Sequence, residues 1–539
     1  MSDLHDSAEP TQPLPSFEPQ PEGGRGRRAA VVGGVAALVV AALGGAAFAA
    51  YSFLDGGGPR PEDALPDTTV AVLSVDLDPH AGQKIEAIKT LRKFPALRKQ
   101  LGLSSEDDLR RYIVDKGIKS DCEGIDYDRD VKPWVGKRAA FAAVDLGDDQ
   151  PAPALVVQVS DAARATKDFG KLADCAGEDF GYVVGEDYLV ASDSDAHARK
   201  ILDAGKKKPL ADDATFQKWD GEAGDGVAGF YIAPRAARYL DDLLADFGNG
   251  FTEFDDEISA GASAPVADDP LDPVHDALRD FHGAAGALKF ADGGLELVVA
   301  ADAGKQKLGD KPIGEVVDRL PADTALVLGI SFPKHFGSTL LDQAKAQLGE
   351  AEVQEFLDDA RTEAGLDLPG DAEDLLGDAL TLSVSGDAPS SADALDNPTE
   401  LPAALALHGD PDKSLAVLHK LEKALGTSLS DIPLETKKSG DALLLSPSED
   451  YLGELAKKGS LGDSDVFRQA VPDADHAGMV FFTVIDEDWR KTIVDLASSD
   501  LSPSEARTLA ENLKPFRALG LSSTVKDGVG RFELRITTR

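Results

Sequence analysis

Cysteine is almost missing from this chain: two among 539 residues, too few for a disulfide scaffold or a cysteine-rich zinc site. Basic residues are scarce as well, 55 Lys+Arg against 96 Asp+Glu for a net charge of −41. That balance argues against DNA, RNA or an anionic membrane surface as a partner, because neutralising phosphates needs clustered cations. The nine histidines are scattered, with no H-E-x-x-H, no His-x-His and no Cys/His cluster, so neither a zinc site nor any other metal site is expected. A G-x-S-x-G elbow is missing, and no glycine-rich phosphate loop follows a strand, so no cofactor is expected. What remains is 42% hydrophobic and 28% charged, a globular composition long enough for several domains or for one unit made twice.

One apolar run stands out. Ala29 to Phe53 are 25 residues without a charge, which at about 1.5 Å per residue suffices to cross a hydrocarbon core of roughly 30 Å. Arg25, Arg27 and Arg28 precede it, and the positive-inside rule puts the N-terminus in the cytoplasm and the rest outside. A cleaved signal peptide is the competing reading, with Ala47-Phe48-Ala49 as its site, but the run exceeds a usual h-region. Residues 1–28 hold five prolines and a charge of −2, a composition for a disordered tail, so −39 belongs to the exported part. The expected organisation is thus a tail at 1–28, a transmembrane signal anchor at 29–53 contacting the cytoplasmic membrane, a linker at 54–64, and two halves at 65–303 and 320–539.

The two halves are predicted from repeated blocks in the same order. Leu65 to Pro79 (LPDTTVAVLSVDLDP) returns as Leu320 to Pro333 (LPADTALVLGISFP), and Asp130 to Val144 answers Glu373 to Val384 with Gly136 opposite Gly377. Pro153 to Leu172 matches Pro402 to Leu421, Leu210 to Trp219 matches Leu461 to Ala470 with Phe216 opposite Phe467, and each half ends on an Asp-Gly turn, Asp292-Gly293 and Asp527-Gly528. Alternating strands between amphipathic helices predict an α+β fold, each half a mostly antiparallel sheet with packed helices. Gly248 to Pro273 and Gly386 to Glu400 interrupt the pattern as surface insertions.

Candidate chemistry is sparse. Cys122 and Cys175, both in the first half, face an oxidising space if the topology holds and are expected to form a disulfide; a reactive thiol pair would need a neighbouring His. Ser331 and Lys334 fit S-x-x-K, but Pro333 breaks the turn that would align them, no K-T-G follows, and Ser74 at the matching place has no such Lys. Asp126, Asp128 and Asp130 open like a calcium loop, yet Val131 and Lys137 stand where Gly and Glu are required, which leaves solvated loop acids. Asp107-Asp108 and Asp212-Asp213 read as helix-capping acids, and Trp134, Trp219 and Trp489 as core or edge residues.

The Pro-rich tail, the single apolar run, the LPDTTVAVLSVDLDP opening and the DVKPWVGKRAAFAAV block resemble a family of actinobacterial membrane-anchored envelope proteins defined only as domain-of-unknown-function family 3352, a likeness read over most of residues 60–539. The resemblance implies an anchored, exported domain and supplies no activity. The expected function is therefore a single-pass, extracytoplasmic, non-catalytic binding or structural module of the envelope. The alternative is an envelope enzyme of unrecognised type with a pocket in or between the halves.

Overall fold

The computed structural model describes residues 59–539 apart from 77–82, most of 84–123, 177–180, 240–280, 305–308, 310, 387–400, 427–433 and most of 488–502. Residues 29–53 lie outside the described residues, among which no helix is long and apolar enough to cross a membrane.

The class is α+β, built on one large antiparallel sheet. The first eight strands are β1 (Thr69–Asp76), β2 (Val135–Val144), β3 (Ala152–Val159), β4 (Gly181–Val184), β5 (Tyr188–Ser192), β6 (Ala228–Ile232), β7 (Ala284–Ala291) and β8 (Gly294–Asp302). The next eight are β9 (Thr324–Ser331), β10 (Ala379–Ser385), β11 (Ala403–His408), β12 (Glu435–Ser439), β13 (Ala442–Ser446), β14 (Met479–Val484), β15 (Phe516–Lys526) and β16 (Val529–Thr538). From the centre outward one arm runs β8-β7-β6-β1-β2-β3-β5-β4 and the other β16-β15-β14-β9-β10-β11-β13-β12, the same path with every number raised by eight. The arms are joined edge to edge by the β8–β16 ladder, so the sheet is continuous.

Local chemistry sets these elements. Asp292 and Gly293, and again Asp527 and Gly528, all take positive φ, as a two-residue hairpin that matches strand twist requires. These turns lie 235 residues apart, and so do Val298 and Glu533, which face one another across β8–β16; that pair therefore marks the centre of the junction. Thr69 and Thr324 open β1 and β9 in the same way, each hydroxyl donating to the carbonyl three residues back, Pro66 at 2.7 Å and Pro321 at 2.8 Å. Thr69 and Thr324 each stand three residues past a proline at the head of a strand of equal length, so Ser331 matches Asp76 at the strand's end rather than Ser74.

Helices start on side-chain caps: Ser194 accepts from the His197 amide, Asp213 from Thr215 and Phe216, and Ser448 from Tyr451. One face of the first arm buries Val72, Val156 and Tyr231 against Ile201, Phe216 and Trp219 of two helices, Asp195–Gly205 and Ala214–Ala223. On the other face of its outer strands lies the helix Ala162–Ala176, whose Ala165, Phe169, Leu172 and Ala173 fall at the spacing of one helical stripe. The second arm repeats this with Phe467 and Ala470 of the helix Asp465–Ala470 on one face and Leu415 and Leu418 of Pro411–Leu425 on the other. Phe216 meets Tyr231 edge-on at 5.1 Å, and Phe467 meets Phe482 edge-on at 5.2 Å. Ahead of β1, Pro61–Asp63 form a 3-10 turn, Ala64 and Leu65 are buried, and Arg60 clamps Asp220 with two bonds of 3.1 and 3.2 Å.

Both outer edges are guarded. The edge strand β12 (ETKKS) is mostly exposed and charged, and short β4 has its Tyr182 amide taken by the Asp195 carboxylate at 2.9 Å.

Candidate functional site

Three polar groupings are built into this apolar framework. The first lies at the junction of the arms. Alternation along β8 and β16 brings Glu296, Arg531, Glu533 and Arg535 to the face that carries the helices Ala214–Ala223 and Asp465–Ala470, with Lys289 beside them on β7. Arg535 bonds Glu296 and reaches Glu533 at 3.4 Å and Asp292 at 3.4 Å, while its Nε is buried without a partner. Arg531 sits 3.7 Å from Glu533 and donates to the Glu222 carbonyl, at the end of one helix, at 2.7 Å; Arg535 donates to the Gln469 carbonyl, at the end of the other, at 3.4 Å. Two arginines of one strand thus fasten a helix from each arm, and cations suit helix C-termini. Burial, with the neighbouring Glu296 charge, pushes the Glu533 carboxyl up, and burial pulls Lys289 down.

The second grouping occurs once in each arm. Asp130 is fully buried, accepts the Asp126 amide at 3.0 Å, and is paired with Arg129 and, at 2.7 Å, with Lys171. Asp371 accepts the Asp367 amide at 2.6 Å and pairs with Lys420 at 2.7 Å. Arg129, against the penalty of burial and with help from Lys171 and the Asp126 amide, holds Asp130 far below the carboxylate range. Burial would push Asp371 up, but Lys420 and the Asp367 amide outweigh it and leave it low. The expectation of solvated acids at Asp126, Asp128 and Asp130 is thus corrected for Asp130. Its partner Lys171 is 41 positions away, beyond the reach of a local reading.

The third belongs to the second arm alone. Thr381, Ser383 and Ser385 of β10 stand where β2 has Ala140, Ala142 and Val144, turning an apolar strip into hydroxyls. Tyr451 donates to Ser383 at 3.1 Å, and burial pushes its hydroxyl up to about 12. Thr381 lies 3.1 Å from His408 Nε2, and burial lowers the His408 ring below its ordinary value. A hydroxyl beside an imidazole is the core of a nucleophilic pair. Here the Thr381 hydroxyl belongs to a residue only 1% exposed, closed to a solvent-borne substrate, and the contact serves as an internal hydrogen bond.

The remaining candidates are dispersed. Cys122 lies outside the described residues and Cys175 falls on the helix Ala162–Ala176, so their pairing lies outside what the structure describes. The Ser331 hydroxyl is spent on the Gly478 carbonyl at 3.1 Å, and Lys334 is exposed beyond Pro333. Asp213 caps its helix as expected, Trp134 and Trp219 are buried with their ring N–H groups on the carbonyls of Asp130 and His282, and Trp489 and Asp107-Asp108 are outside the described residues. No cluster of metal-binding side chains occurs among the described residues.

Residues 31–182 match a protein family described as "Protein of unknown function (DUF3352)", a span running from the apolar segment through the helix Ala162–Ala176 into β4 and narrower than the likeness read over residues 60–539. No curated protein matches. A solved structure titled "Structure of crystal form III of TP0453" is similar at 10% identity and a TM-score of 0.22, covering 49% of this chain and 87% of that one.

Proposed function

We propose that the chain is a single-pass anchored, extracytoplasmic envelope protein that works by binding or as a structural module, without catalysis. The observation that carries the binding role is a matched pair of exposed apolar residues. Phe141 on β2 and Leu382 on β10 occupy corresponding positions, opposite Leu73 and Leu328, and are 37% and 38% exposed. Interior polar groups, by contrast, are turned on one another: Asp130 on Lys171, Asp371 on Lys420, Glu296 on Arg535, Thr381 on His408. We further infer that the body is one unit made twice, a reading supported by the shared strand path and by the recurring Thr–Pro, Asp–Lys and aromatic contacts. The uncharged run at 29–53 with Arg25, Arg27 and Arg28 before it supports the anchor and its direction.

A photo-crosslinking residue placed at Phe141, and separately at Leu382, in the full chain in intact envelopes tests the binding role. The same envelope component is expected from both positions; empty lanes from both would sink it. Residues 1–28 and 59–539, each carrying one engineered cysteine, should label from opposite sides of the membrane.

A further inference from the structure

The exported body is strongly acidic, yet it carries one run of three consecutive basic residues, Lys206-Lys207-Lys208, the only such run in the chain. All three lysines are exposed. They lie just past the helix Asp195–Gly205, where cations suit the helix end, and that alone would give them a local structural role. Their location supplies the second observation. The run is fastened to the segment by which the chain enters the body: the Asp67 amide donates to the Lys208 carbonyl at 2.9 Å, Leu210 donates to Leu65 at 2.8 Å, and a Cβ on Gly205 would stand 2.1 Å from the Ala64 carbonyl. That entry segment is itself immobilised, since Arg60 holds Asp220 and lies 5.7 Å from the Phe216 ring, and Arg138 reaches the Pro59 carbonyl at 3.4 Å.

Only residues 54–58 separate the apolar run from Pro59. Extended, those few residues reach about 20 Å at most. Residues from Pro59 to Ala64 add a short distance through a 3-10 turn. Resting on the anchored reading above, we propose that Lys206, Lys207 and Lys208 form a membrane-facing contact with anionic lipid headgroups at the point where the anchor leaves the bilayer. The overall charge disfavours an anionic surface, and the lysine run is a local exception set where the anchor forces the body closest to phosphates. Such contacts act over a Debye length of about 10 Å and strengthen with each added lysine.

The second arm provides an internal control. Lys457 and Lys458 follow the helix Glu449–Leu455 in the same way, exposed and beside the Leu320 carbonyl, which a Cβ on Gly459 would approach to 2.1 Å. The chain entering there comes from the first arm rather than from an anchor. The full chain would be reconstituted into vesicles of phosphatidylcholine alone or mixed with phosphatidylglycerol, floated, and labelled with an impermeant amine-acylating reagent read by mass spectrometry. Acylation of Lys206–Lys208 is expected to slow several-fold in the anionic vesicles and recover at high ionic strength, while Lys457 and Lys458 keep one rate throughout. Protein that floats but shows no difference between the two lysine groups overturns this contact and leaves the anchor standing; protein that fails to float overturns both.

Discussion

Arg535 pairs with both Glu296 and Glu533, each 6% exposed, while their second cations stand farther off, Lys289 at 3.9 Å from Glu296 and Arg531 at 3.7 Å from Glu533. Removing one member of a buried ionic group leaves uncompensated charge, so Arg535→Ala is expected to lower stability by about 3–5 kcal/mol, read by denaturant unfolding of the full chain, with Arg535→Lys losing less. Glu533 gives a pH signature of opposite sign to the Asp–Lys pairs. Its folded carboxyl titrates above the ordinary glutamate value, so the folded chain holds that proton longer and stability falls as pH rises from the ordinary value through the raised one. Glu533→Gln should flatten that part of the profile. Asp371 is held low, so its contribution is present above the ordinary aspartate value and is lost as pH falls through the depressed one; Asp371→Asn should make the acid limb of the stability curve shallower.

At the scale of elements, the edge-on aromatic pairs predict matched losses. Phe216→Ala and Phe467→Ala each remove a side chain no more than 3% exposed that faces a ring from the neighbouring strand, and each is expected to cost about 3–5 kcal/mol in thermal or denaturant unfolding. A large loss in one arm and none in the other would contradict the duplication proposed above. These positions were legible in the sequence because their cues are local: Leu-Pro before a strand, Asp-Gly at a hairpin, one Phe at a fixed place in a short helix. The Asp130–Lys171 and Asp371–Lys420 pairs were not, because each partner sits on a different element some forty to fifty residues on, and an acid in a D-x-D-x-D string looks solvated until a helix covers it. The hydroxyl strip of β10 was also hidden. Thr381, Ser383 and Ser385 alternate as any half-exposed strand does, and partners distant in sequence, Tyr451 on Ser383 and His408 beside Thr381, mark the face as interior.

At the scale of the whole molecule, the β8–β16 ladder decides how the arms behave. Its register runs from Val529 opposite Asp302 to Ile536 opposite Leu295, eight paired positions binding two cores into one sheet. Far-ultraviolet and near-ultraviolet signals from the full chain are therefore expected to unfold in one coincident transition, and amides of β8 and β16 to be among the slowest to exchange. Two separated transitions would mean that the arms unfold independently. The chain's path into the body, at Pro59–Leu65, packs beside β2 and β3, whereas the hydroxyl strip belongs to β10, nine strand spacings away in the same sheet. At about 4.8 Å per strand that is roughly 40 Å measured across the ladder. A hydrogen-bonded ladder does not stretch, so the sheet works as a fixed-length strut: whatever the second arm touches is met at a set distance from the point of entry.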